Sequence, residues 1–512
     1  MKTYYITTTL PYVNADPHIG FALEIVQADA LARYQRLLGR TVVFNTGTDE
    51  HGQKIWKNAM EAGLEPKAYC DGYAAKFDGL KAALELTYTN FVRTTDEHHI
   101  KAAQEFWKRC DANGDIYKKS YSIKYCVGCE LEKTDSELVD GRCPIHPNRE
   151  LESINEENYF FRWSKYQQKL LDLYEQRPDF VVPSERFNEI KSFVKGGLND
   201  FSISRLKSKM PWGIEVPNDP NQVMYVWFDA LVNYISAIGW PDDLAKFEAA
   251  WPGVQVAGKD NLRQQTAMWQ GMLASAGLPF SKQVFIHGFI TAEGQKMSKS
   301  LGNVVNPYDL VAKYGSDATR YYLLGALPSG VDGDFSIKAF EETYGSKLAN
   351  GIGNLAARAT TMIGKYCEAK VPAVAPDNFD VASFWGRYHE CLENYRFDEA
   401  VKVAESLVTV MNQVIDVEAP FKKAKAGIDV SPLMYQLAEG LRHAAMMFLP
   451  FIPNAAGKIL RDLSVDPEAV LLPRDQAWGG LKPGAVVQKE ILFPRLPREN
   501  EVLLRGLDPK TE

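Results

Sequence analysis

The segment Tyr4–Gln27 is the feature that most constrains how this chain folds. Residues 4–9 form an apolar, β-branched run that breaks before Pro11, and a helical pattern begins at His18 after a turn-rich stretch. We therefore predict a strand that leads directly into a helix. The free N–H groups and the positive dipole at the start of that helix face one point, and Gly20 lets a ligand approach the backbone closely. Such a point suits a phosphate.

The next segments extend this pattern into a parallel sheet. Residues 22–38 carry apolar side chains at helical spacing, and residues 41–46 form a buried-type strand that runs into the sequence GTDEHG. Strand, helix and strand in this order predict an α/β fold, a Rossmann-type doubly wound parallel sheet that collects ligands at the carboxyl ends of its strands. Asp49 and His51 lie at such an end. A solvated polar turn is the alternative interpretation of this motif.

Three later runs resemble further strands of the sheet: residues 222–230, 251–260 and 283–290. Trp227 lies in the first run and Tyr234 follows it. Bulky aromatic residues near a strand end usually belong to the core, but these two, together with Tyr12 from the first turn, are equally suited to wall an apolar pocket.

Two pairs of metal-ligand residues predict a structural zinc site. Cys126 and Cys129 are separated by two residues, as are Cys143 and His146, and a polar segment of ribbon length joins the pairs. The alternative is that these three cysteines and one histidine are unrelated and bind no metal. Because protein fills all four positions, we expect the metal to hold a small insertion together and to play no part in catalysis.

Composition limits the class of protein. The chain has 512 residues, of which 46% are hydrophobic and 24% charged, and such a length predicts about three or four domains. The formal net charge of -7 argues against a general nucleic-acid coat protein, although local basic patches can still bind a specific RNA. The seven cysteines are too few for a disulfide scaffold, and the chain opens with no secretory leader. We therefore expect a reduced, cytoplasmic protein with no membrane segment.

The loop after residue 290 carries a second phosphate signal. Lys296 and Lys299 are three residues apart, are flanked by serines, and follow Gly294. This arrangement is typical of a mobile cationic loop that closes on phosphates. An ordinary surface loop with lysines is the alternative.

The motifs taken together resemble those of the class I aminoacyl-tRNA synthetases. These enzymes pair PHIG near the start with KMSKS after the last sheet strand. The zinc pairs and the sequences GTDEHG, VWFDALVNYI, SFVKGGLNDFSISR and HGFITAEGQKMSKSLGN make the chain similar to the methionyl-tRNA synthetase family specifically. From residue 343 onward the apolar spacing is helical throughout, which predicts an all-α bundle.

The resemblance implies a division into six segments. They are the first half of a Rossmann catalytic domain (1–115), a connective insertion with a zinc knuckle (116–221), the second half of the catalytic domain with the KMSKS loop (222–300), a stem-contact segment (301–345), an α-helical anticodon-binding bundle (346–485) and a tail (486–512).

The resemblance also implies the reaction and the partners. L-methionine and ATP give methionyl-adenylate and pyrophosphate, and the methionyl group then passes to the 3′ end of tRNA(Met). Mg²⁺ accompanies ATP, and Zn²⁺ is structural. The tail carries no extra oligonucleotide-binding domain, which predicts a monomer.

Site residues follow by matching motifs. The residues expected to act in catalysis are His18, Lys296 and Lys299. The ATP site is expected to comprise His18, Gly20, Phe21, Glu24, Gly258, Asp260, Ile290, Lys296 and Lys299. The methionine site is expected to comprise Leu10, Tyr12, Asp49, Trp227, Ala230, Tyr234, Asn261 and Gln265. The anticodon is expected to be read by Asn354, Arg358 and Phe421.

Four of these residues depart from the family pattern. The family usually has histidine where this chain has Phe21, and commonly isoleucine and histidine where it has Asn261 and Gln265. Phe421 stands in place of a stacking tryptophan, which predicts weaker anticodon stacking because phenylalanine offers less area. Gln265 retains the ability to hydrogen-bond a pocket tyrosine.

Three other functions compete with this interpretation. A leucine or isoleucine enzyme of the same class would carry a large editing insertion, for which residues 116–222 are too few. A non-catalytic tRNA-binding paralogue is suggested by Phe21 and Gln265. A zinc-ribbon RNA-binding protein is disfavoured by the acidic net charge and the intact lysine loop.

Overall fold

The structure is a computed structural model that describes residues 3–129, 131–133, 137–297 and 302–496. The chain divides into two compact units. The first unit comprises residues 1–32 and 40–289, and the second comprises residues 33–39 and 290–512. The finer division into six segments stays a prediction.

A six-stranded parallel sheet forms the centre of the first unit. Its strands are β1 (Tyr4–Thr8), β2 (Val42–Thr48), β3 (Asn90–Arg93), β7 (Val181–Val182), β12 (Val254–Gly258) and β13 (Gln283–His287). They lie in the order β3-β2-β1-β12-β13-β7. The predicted doubly wound parallel sheet is confirmed.

Helices connect and cover these strands. They are α1 (Ile19–Leu37), α2 (Gln53–Glu61), α3 (Pro66–Asp78), α4 (Leu80–Ala83), α5 (Glu97–Ala112), α6 (Gln167–Gln176), α7 (Ser184–Lys195), α8 (Val226–Ala230), α9 (Asn233–Ser236), α10 (Leu244–Ala250) and α11 (Trp269–Ser275). The first-unit core is aromatic: the ring of Phe106 on α5 stacks on Trp269 of α11 with centroids 5.5 Å apart.

The insertion is built on antiparallel strands. They are β4 (Ile116–Cys126), β5 (Leu131–Lys133), β6 (Glu152–Phe161), β8 (Phe201–Ser202), β9 (Ser204–Leu206), β10 (Glu215–Val216) and β11 (Asp219–Met224). One sheet has the order β5-β4-β6-β8 and the other the order β10-β11-β9. Residues 126–146 between and beside these strands carry the predicted zinc ligands.

The expectation that residues 222–230 form a strand of the parallel sheet is wrong. Residues up to Met224 pair antiparallel with β9, and Val226–Ala230 is helix α8. A short apolar run has the same appearance in a buried strand and in a buried helix, so periodicity could not separate them. As a consequence Trp227 and Ala230 are presented from a helix.

The second unit begins with a small sheet and continues as helices. Its strands are β14 (Ile290–Ala292), β15 (Gln295–Lys296) and β16 (Gly333–Phe335). Its helices are α12 (Pro307–Tyr314), α13 (Ser316–Tyr321), α14 (Ile337–Thr343), α15 (Gly353–Tyr366), α16 (Val381–Glu393), α17 (Phe397–Glu418), α18 (Pro420–Lys425), α19 (Ser431–Phe448), α20 (Pro453–Asp462) and α21 (Leu472–Asp475). The predicted helical bundle is confirmed.

A buried arginine ties two parts of the second unit together. The Arg320 side chain on α13 is fully buried and donates to the carbonyl oxygens of Pro450 and Phe451 at 2.7 and 3.0 Å. These two bonds join α13 to the residues that follow α19. Among the described helices, none has the length and apolar character that crossing a bilayer demands.

Candidate active site

The carboxyl ends of β1 and β12 define the candidate site. The chain places β2 and β3 on one side of β1, and β12 and β13 on the other. The strand order therefore reverses between β1 and β12, and ligands of doubly wound sheets bind in the crevice that this reversal opens. The loops that follow β1, β2 and β12 carry six of the residues predicted from the sequence, namely Leu10, Tyr12, His18, Asp49, Asp260 and Asn261.

His18 lies directly before α1, at the helix start where the sequence predicts it. The backbone N–H of Gly20 donates to its Nδ1 at 3.0 Å. A ring nitrogen that accepts this bond carries no hydrogen, so the hydrogen of the neutral ring lies on Nε2. Desolvation lowers the pKa of His18, which also favours the neutral ring. His18 thus presents an Nε2–H donor at the positive end of the α1 dipole.

Phe21 takes part in apolar packing. Its ring meets the ring of Phe77 on α3 edge to face, with centroids 5.3 Å apart and an interplanar angle of 85°. The ring offers no hydrogen bond to a phosphate, and its contact stabilises the position of α1 against α3.

Glu24 on α1 contacts residues at the carboxyl ends of β1 and β13. Its Oε1 accepts from the backbone N–H and the hydroxyl of Thr9, at 2.8 and 2.6 Å, and its Oε2 lies 3.0 Å from Nε2 of His287. Glu24 and His287 are both buried. Sequence reasoning missed His287, which the quoted sequence HGFITAEGQKMSKSLGN contains but whose partner is 263 residues away.

Gly258 ends β12, and Asp260 follows it at the same edge of the sheet. A side chain at Gly258 would bring its Cβ within 2.8 Å of an Asp260 carboxylate oxygen and within 3.6 Å of the His287 ring. A larger residue at this position would displace the Asp260 carboxylate. Asp260 is exposed, and its Oδ1 accepts a long 3.4 Å bond from the Asn261 amide.

The loops after β1 and β2 bring Tyr12 and Asp49 together. These residues form an isolated parallel bridge, and the Asp49 N–H donates to the carbonyl of Pro11 at 3.0 Å. Gly52 has a φ of 116° and its Cβ would lie 2.4 Å from the Tyr12 hydroxyl, so the GTDEHG sequence needs glycine here. The carboxylate of Asp49 is buried beside an aromatic side chain, an arrangement that can bind an ammonium group.

Helix α8 and the residues after it supply apolar and aromatic groups. Asn233 donates from its amide to the Ala230 carbonyl at 2.7 Å and accepts from Asn45 of β2 at 3.1 Å. These bonds fix Ala230 against the sheet. The buried indole N–H of Trp227 has no hydrogen-bond partner within the described chain, which leaves one donor for a ligand.

Gln265 and Tyr234 form the hydrogen bond that the sequence allows. Gln265 donates from Nε2 to the Tyr234 hydroxyl at 2.8 Å, and both side chains are buried. Burial raises the pKa of Tyr234, which keeps the phenol protonated. Leu10 and Asn261 are each half-buried.

A buried carboxylate between two histidines connects α8 to the loop after β2. Asp229 lies 2.7 Å from Nδ1 of His51 and 2.8 Å from Nε2 of His99. Burial raises the pKa of Asp229, but the charges and hydrogen bonds of the two histidines outweigh burial, and the pKa is lowered overall. Sequence reasoning identified His51 and missed both partners, because no local pattern links them.

The zinc ligands converge in the insertion. The ligand atoms of Cys126, Cys129, Cys143 and His146 all lie within 4.8 Å of one another. The Cys129 and Cys143 sulfurs are 3.5 Å apart. A Cβ at Gly128 would lie 2.7 Å from the His146 ring, so the residue before Cys129 must be small. Three sulfurs and one imidazole nitrogen at this separation fit a tetrahedral zinc.

The lysine loop lies in the second unit. Strands β14 and β15 form a hairpin whose turn residues Glu293 and Gly294 have φ values of 52° and 74°. Asp334 accepts from the Gly294 N–H and from the Thr291 hydroxyl, which stabilises the turn. Lys296 follows on β15 and is exposed. Ile290 is buried on β14. Lys299 lies outside the described residues.

The chain matches known proteins along its whole length. The sequence profile of the family "tRNA synthetases class I (M)" matches residues 4–153 and 147–360. The methionine–tRNA ligase of Caldanaerobacter subterraneus subsp. tengcongensis is 43% identical over 100% of this chain and 81% of its own length. That of Thermosynechococcus vestitus is 44% identical over 93% of this chain and 94% of its own length. The chain belongs to the methionyl-tRNA synthetase family.

A solved methionyl-tRNA synthetase shares this fold. The structure of the Mycobacterium tuberculosis enzyme in complex with methionyl-adenylate has a TM-score of 0.90 and 36% identity, and the match covers 97% of this chain and 100% of that one. This synthetase is therefore a class I methionine–tRNA ligase, as the resemblance implied, and it acts with ATP.

The residues expected to read the anticodon lie in the second unit of the synthetase. Asn354 and Arg358 lie on α15, where Asn354 is exposed. Arg358 donates to Asn412 and Asp416 of α17 at 2.9 and 2.5 Å. Phe421, on α18, is 54% exposed, which leaves its ring accessible for stacking.

Proposed function

We propose that the crevice at the carboxyl ends of β1 and β12 is where this synthetase joins L-methionine to ATP. The observation that carries the proposal is the convergence of two kinds of group on neighbouring strands. His18 lies at the start of α1, in the segment that follows β1. The buried carboxylate of Asp49 follows β2 and is bridged to Tyr12, and Trp227 lies on α8. The first group suits a triphosphate and the second suits an apolar amino acid.

The first step needs alignment and charge neutralisation and no general base. The methionine carboxylate is already ionised when it attacks the α-phosphorus, and pyrophosphate leaves. His18 donates from Nε2 to a phosphate oxygen, the Gly20 N–H holds the His18 ring in the orientation for this, and the positive dipole at the start of α1 adds to the attraction. We assign Lys296 and Lys299 to neutralising the negative charge that grows on the phosphates. Phe21 contributes apolar packing at this site and no phosphate contact.

The adenosine is assigned to residues after β12 and β13. Asp260 accepts from the ribose hydroxyls, and Gly258 gives the sugar room to approach the backbone. Glu24 organises this edge through its bonds to Thr9 and His287. Ile290 offers an apolar contact for the adenine.

The methionine site combines one charge contact with shape. Asp49 accepts from the substrate ammonium group, a contact common to every amino acid. Selection of the thioether side chain rests on an apolar pocket with aromatic walls, worth about 1 to 3 kcal/mol per methylene. The residues assigned to this pocket are Leu10, Tyr12, Trp227, Ala230, Tyr234, Asn261 and Gln265.

Two metals are part of the proposal. Zn²⁺ is held by Cys126, Cys129, Cys143 and His146, and the separation of their ligand atoms supports this assignment. When bound, it stabilises the fold of the insertion. Mg²⁺ enters with ATP and supplies further phosphate charge neutralisation, with substrate oxygens and water as its main ligands.

The tRNA is assigned to the second unit. Asn354 and Arg358 on α15 hydrogen-bond the anticodon bases, and Phe421 stacks on one of them. The bond from Arg358 to Asp416 orients its guanidinium in the absence of RNA. A monomeric, cytoplasmic protein stays our expectation from the sequence.

Amino-acid-dependent exchange of pyrophosphate into ATP tests the proposed activity without tRNA. We expect methionine to support the fastest exchange, norleucine to be detectable and leucine to be near background. Lys299→Ala should lower the rate of methionine-dependent exchange by a factor of about 10² to 10³. Lys338→Ala, at an exposed lysine outside the site, is the control. An absence of exchange with methionine would favour a non-catalytic tRNA-binding paralogue, and leucine as the best substrate would refute the methionine assignment.

A further inference from the structure

A chain of buried amide and hydroxyl groups lies behind Tyr234 in the first unit. It runs from Gln270 through Ser281, Gln255 and Gln265 to the Tyr234 hydroxyl, with successive distances of 3.0, 2.5, 2.9 and 2.8 Å. Every member is buried, with exposed fractions of 0 to 2%. Each group in such a chain must face a complementary group, because an unmatched buried polar atom is costly.

Two backbone groups fix the direction of this chain at one end. The N–H of Ser281 can only donate, so the atom of Gln270 that lies 3.0 Å from it must be the amide oxygen. The backbone carbonyl of Gln265 can only accept, so the atom of Gln270 at 2.8 Å must be the amide nitrogen. The amide of Gln270 therefore has one orientation, set by geometry that involves no ambiguous partner.

The orientation of each further side chain follows from the donor or acceptor that faces it. Gln270 donates to the Ser281 hydroxyl oxygen, so the Ser281 hydrogen must go to Gln255 and the facing atom there is Oε1. The other atom of that amide, Nε2 of Gln255, then donates to Oε1 of Gln265. Nε2 of Gln265 is left to donate to the Tyr234 hydroxyl oxygen. A reversed Gln265 amide would place two donors against each other.

The last bond leaves Tyr234 with a hydrogen to give. Its hydroxyl oxygen accepts from Gln265, the Asn233 and Gln255 side chains that also face it act as donors, and no hydrogen bond within the described chain uses its hydrogen. Tyr5 reaches the same residue but donates to the Tyr234 backbone carbonyl at 2.8 Å, so it does not compete for the hydroxyl. A reversed Gln265 amide would present an oxygen, and the Tyr234 hydrogen would be used up inside the protein.

We propose that Gln255, Gln270 and Ser281 are positioning residues that fix the Gln265 amide and thereby reserve the Tyr234 hydroxyl hydrogen for the substrate side chain. The inference rests on the proposed methionine site. A thioether sulfur accepts such a hydrogen weakly, whereas the methylene at the same place in norleucine cannot accept it at all. The chain therefore acts on discrimination between two side chains of nearly equal shape.

Ser281→Ala and Gln255→Met test the proposal through pyrophosphate exchange with methionine and norleucine. Either variant frees the Gln265 amide to reverse. We expect the ratio of kcat/KM for methionine over norleucine to fall about three- to tenfold, chiefly through methionine, while the KM for ATP is unchanged. Ser281→Thr keeps the hydroxyl and should restore the ratio toward that of the wild type.

Ser204→Ala is the matched control. Ser204 is also a buried serine that donates to a glutamine oxygen, Oε1 of Gln222 at 2.7 Å, but it lies in the insertion sheet. A general loss of stability in a Ser281→Ala protein would lower the rates for both amino acids and leave their ratio unchanged. An unchanged ratio in Ser281→Ala, or in Gln255→Met should the first variant not fold, overturns the inference. No exchange by the wild type with methionine would instead overturn the proposed function.

Discussion

The imidazole of His287 and the carboxylate of Glu24 lie in direct contact, with Nε2 and Oε2 3.0 Å apart. The other ring nitrogen, Nδ1, lies 2.7 Å from the carbonyl oxygen of Gly288, which can only accept. Both ring nitrogens therefore face acceptors, an environment that suits the imidazolium ion. Burial lowers the pKa of His287, but the hydrogen bond to Glu24 and its charge outweigh burial and raise the pKa above 6.5.

This pair makes the stability of the first unit depend on pH. Because the pKa of His287 is raised in the folded state, its contribution is complete below pH 6.5 and is lost as the pH rises through the folded value. We expect Glu24→Gln to lower the free energy of unfolding by about 2 kcal/mol at pH 6, and by less at pH 9. Thermal unfolding across this range measures the effect.

Glu97→Gln is the control for this prediction, since Glu97 pairs with Lys101 on an exposed surface. The free energy of unfolding of Glu97→Gln should stay close to that of the wild type at every pH. A difference between wild type and Glu24→Gln that grows with pH would contradict the assignment of an imidazolium ion.

Zinc is expected to stabilise the insertion. Elemental analysis of the purified protein should give about one zinc per chain, and a chelator should lower Tm by about 5 °C. Cys143→Ser should lose the metal and the response to chelator, because three ligands bind zinc more weakly than four. Cys367→Ser, at a cysteine outside the cluster, should retain both. If the native protein contained no zinc and its Tm did not change with chelator, these four residues would not form a zinc site.

A buried carboxylate makes the second unit sensitive to acid. Glu439 on α19 accepts from three consecutive backbone N–H groups, those of residues 479–481, and from Arg442. Burial raises the pKa of Glu439, but bonds from His443 and Arg442 and the Arg442 charge outweigh it and lower the pKa to about 2.

The stability that Glu439 supplies is present above pH 4.5 and is lost as the pH falls toward 2. This loss amounts to about 3 kcal/mol. We expect Glu439→Gln to be less stable at pH 7 and to lack this acid-dependent fall, as measured by urea unfolding between pH 2 and 7. Glu368→Gln, at an exposed position, should follow the wild-type curve. Parallel curves for wild type and Glu439→Gln would refute the prediction.

Phe421 tests the assignment of the anticodon contact. Loss of one stacked base costs about 1 to 3 kcal/mol, so Phe421→Ala should raise the KM for tRNA about tenfold and leave pyrophosphate exchange unchanged. Phe421→Trp should lower that KM because the larger ring stacks better. Val417→Ala, at an 81% exposed apolar residue of the preceding helix, is the control. Equal tRNA KM values for all three variants would show that Phe421 does not contact the anticodon.

Local signals explain what the sequence could predict. The strand, turn and helix of residues 4–27 follow one another directly, so periodicity and Pro11 were enough to predict β1 and α1. The spacing of Cys126, Cys129, Cys143 and His146 encodes their convergence in the same way. Such elements depend on contacts between residues that are near in sequence.

Long-range pairs explain what the sequence could not predict. His287 meets Glu24 across 263 positions, and Asp229 meets His51 across 178, so neither pair leaves a periodic trace. The direction of the bonds between Ser281 and Tyr234 requires the positions of both backbone anchors. The error at residues 222–230 has another cause, because a short apolar run predicts burial without specifying strand or helix.

Aminoacylation of tRNA tests the central claim most directly. The wild-type protein, ATP and radiolabelled methionine are incubated with a tRNA(Met) transcript and with the same transcript carrying a changed anticodon. We predict that methionine becomes attached to the unchanged transcript, and that the changed anticodon lowers kcat/KM for tRNA by at least about tenfold. No attachment to either transcript, or equal attachment to both, would contradict the account.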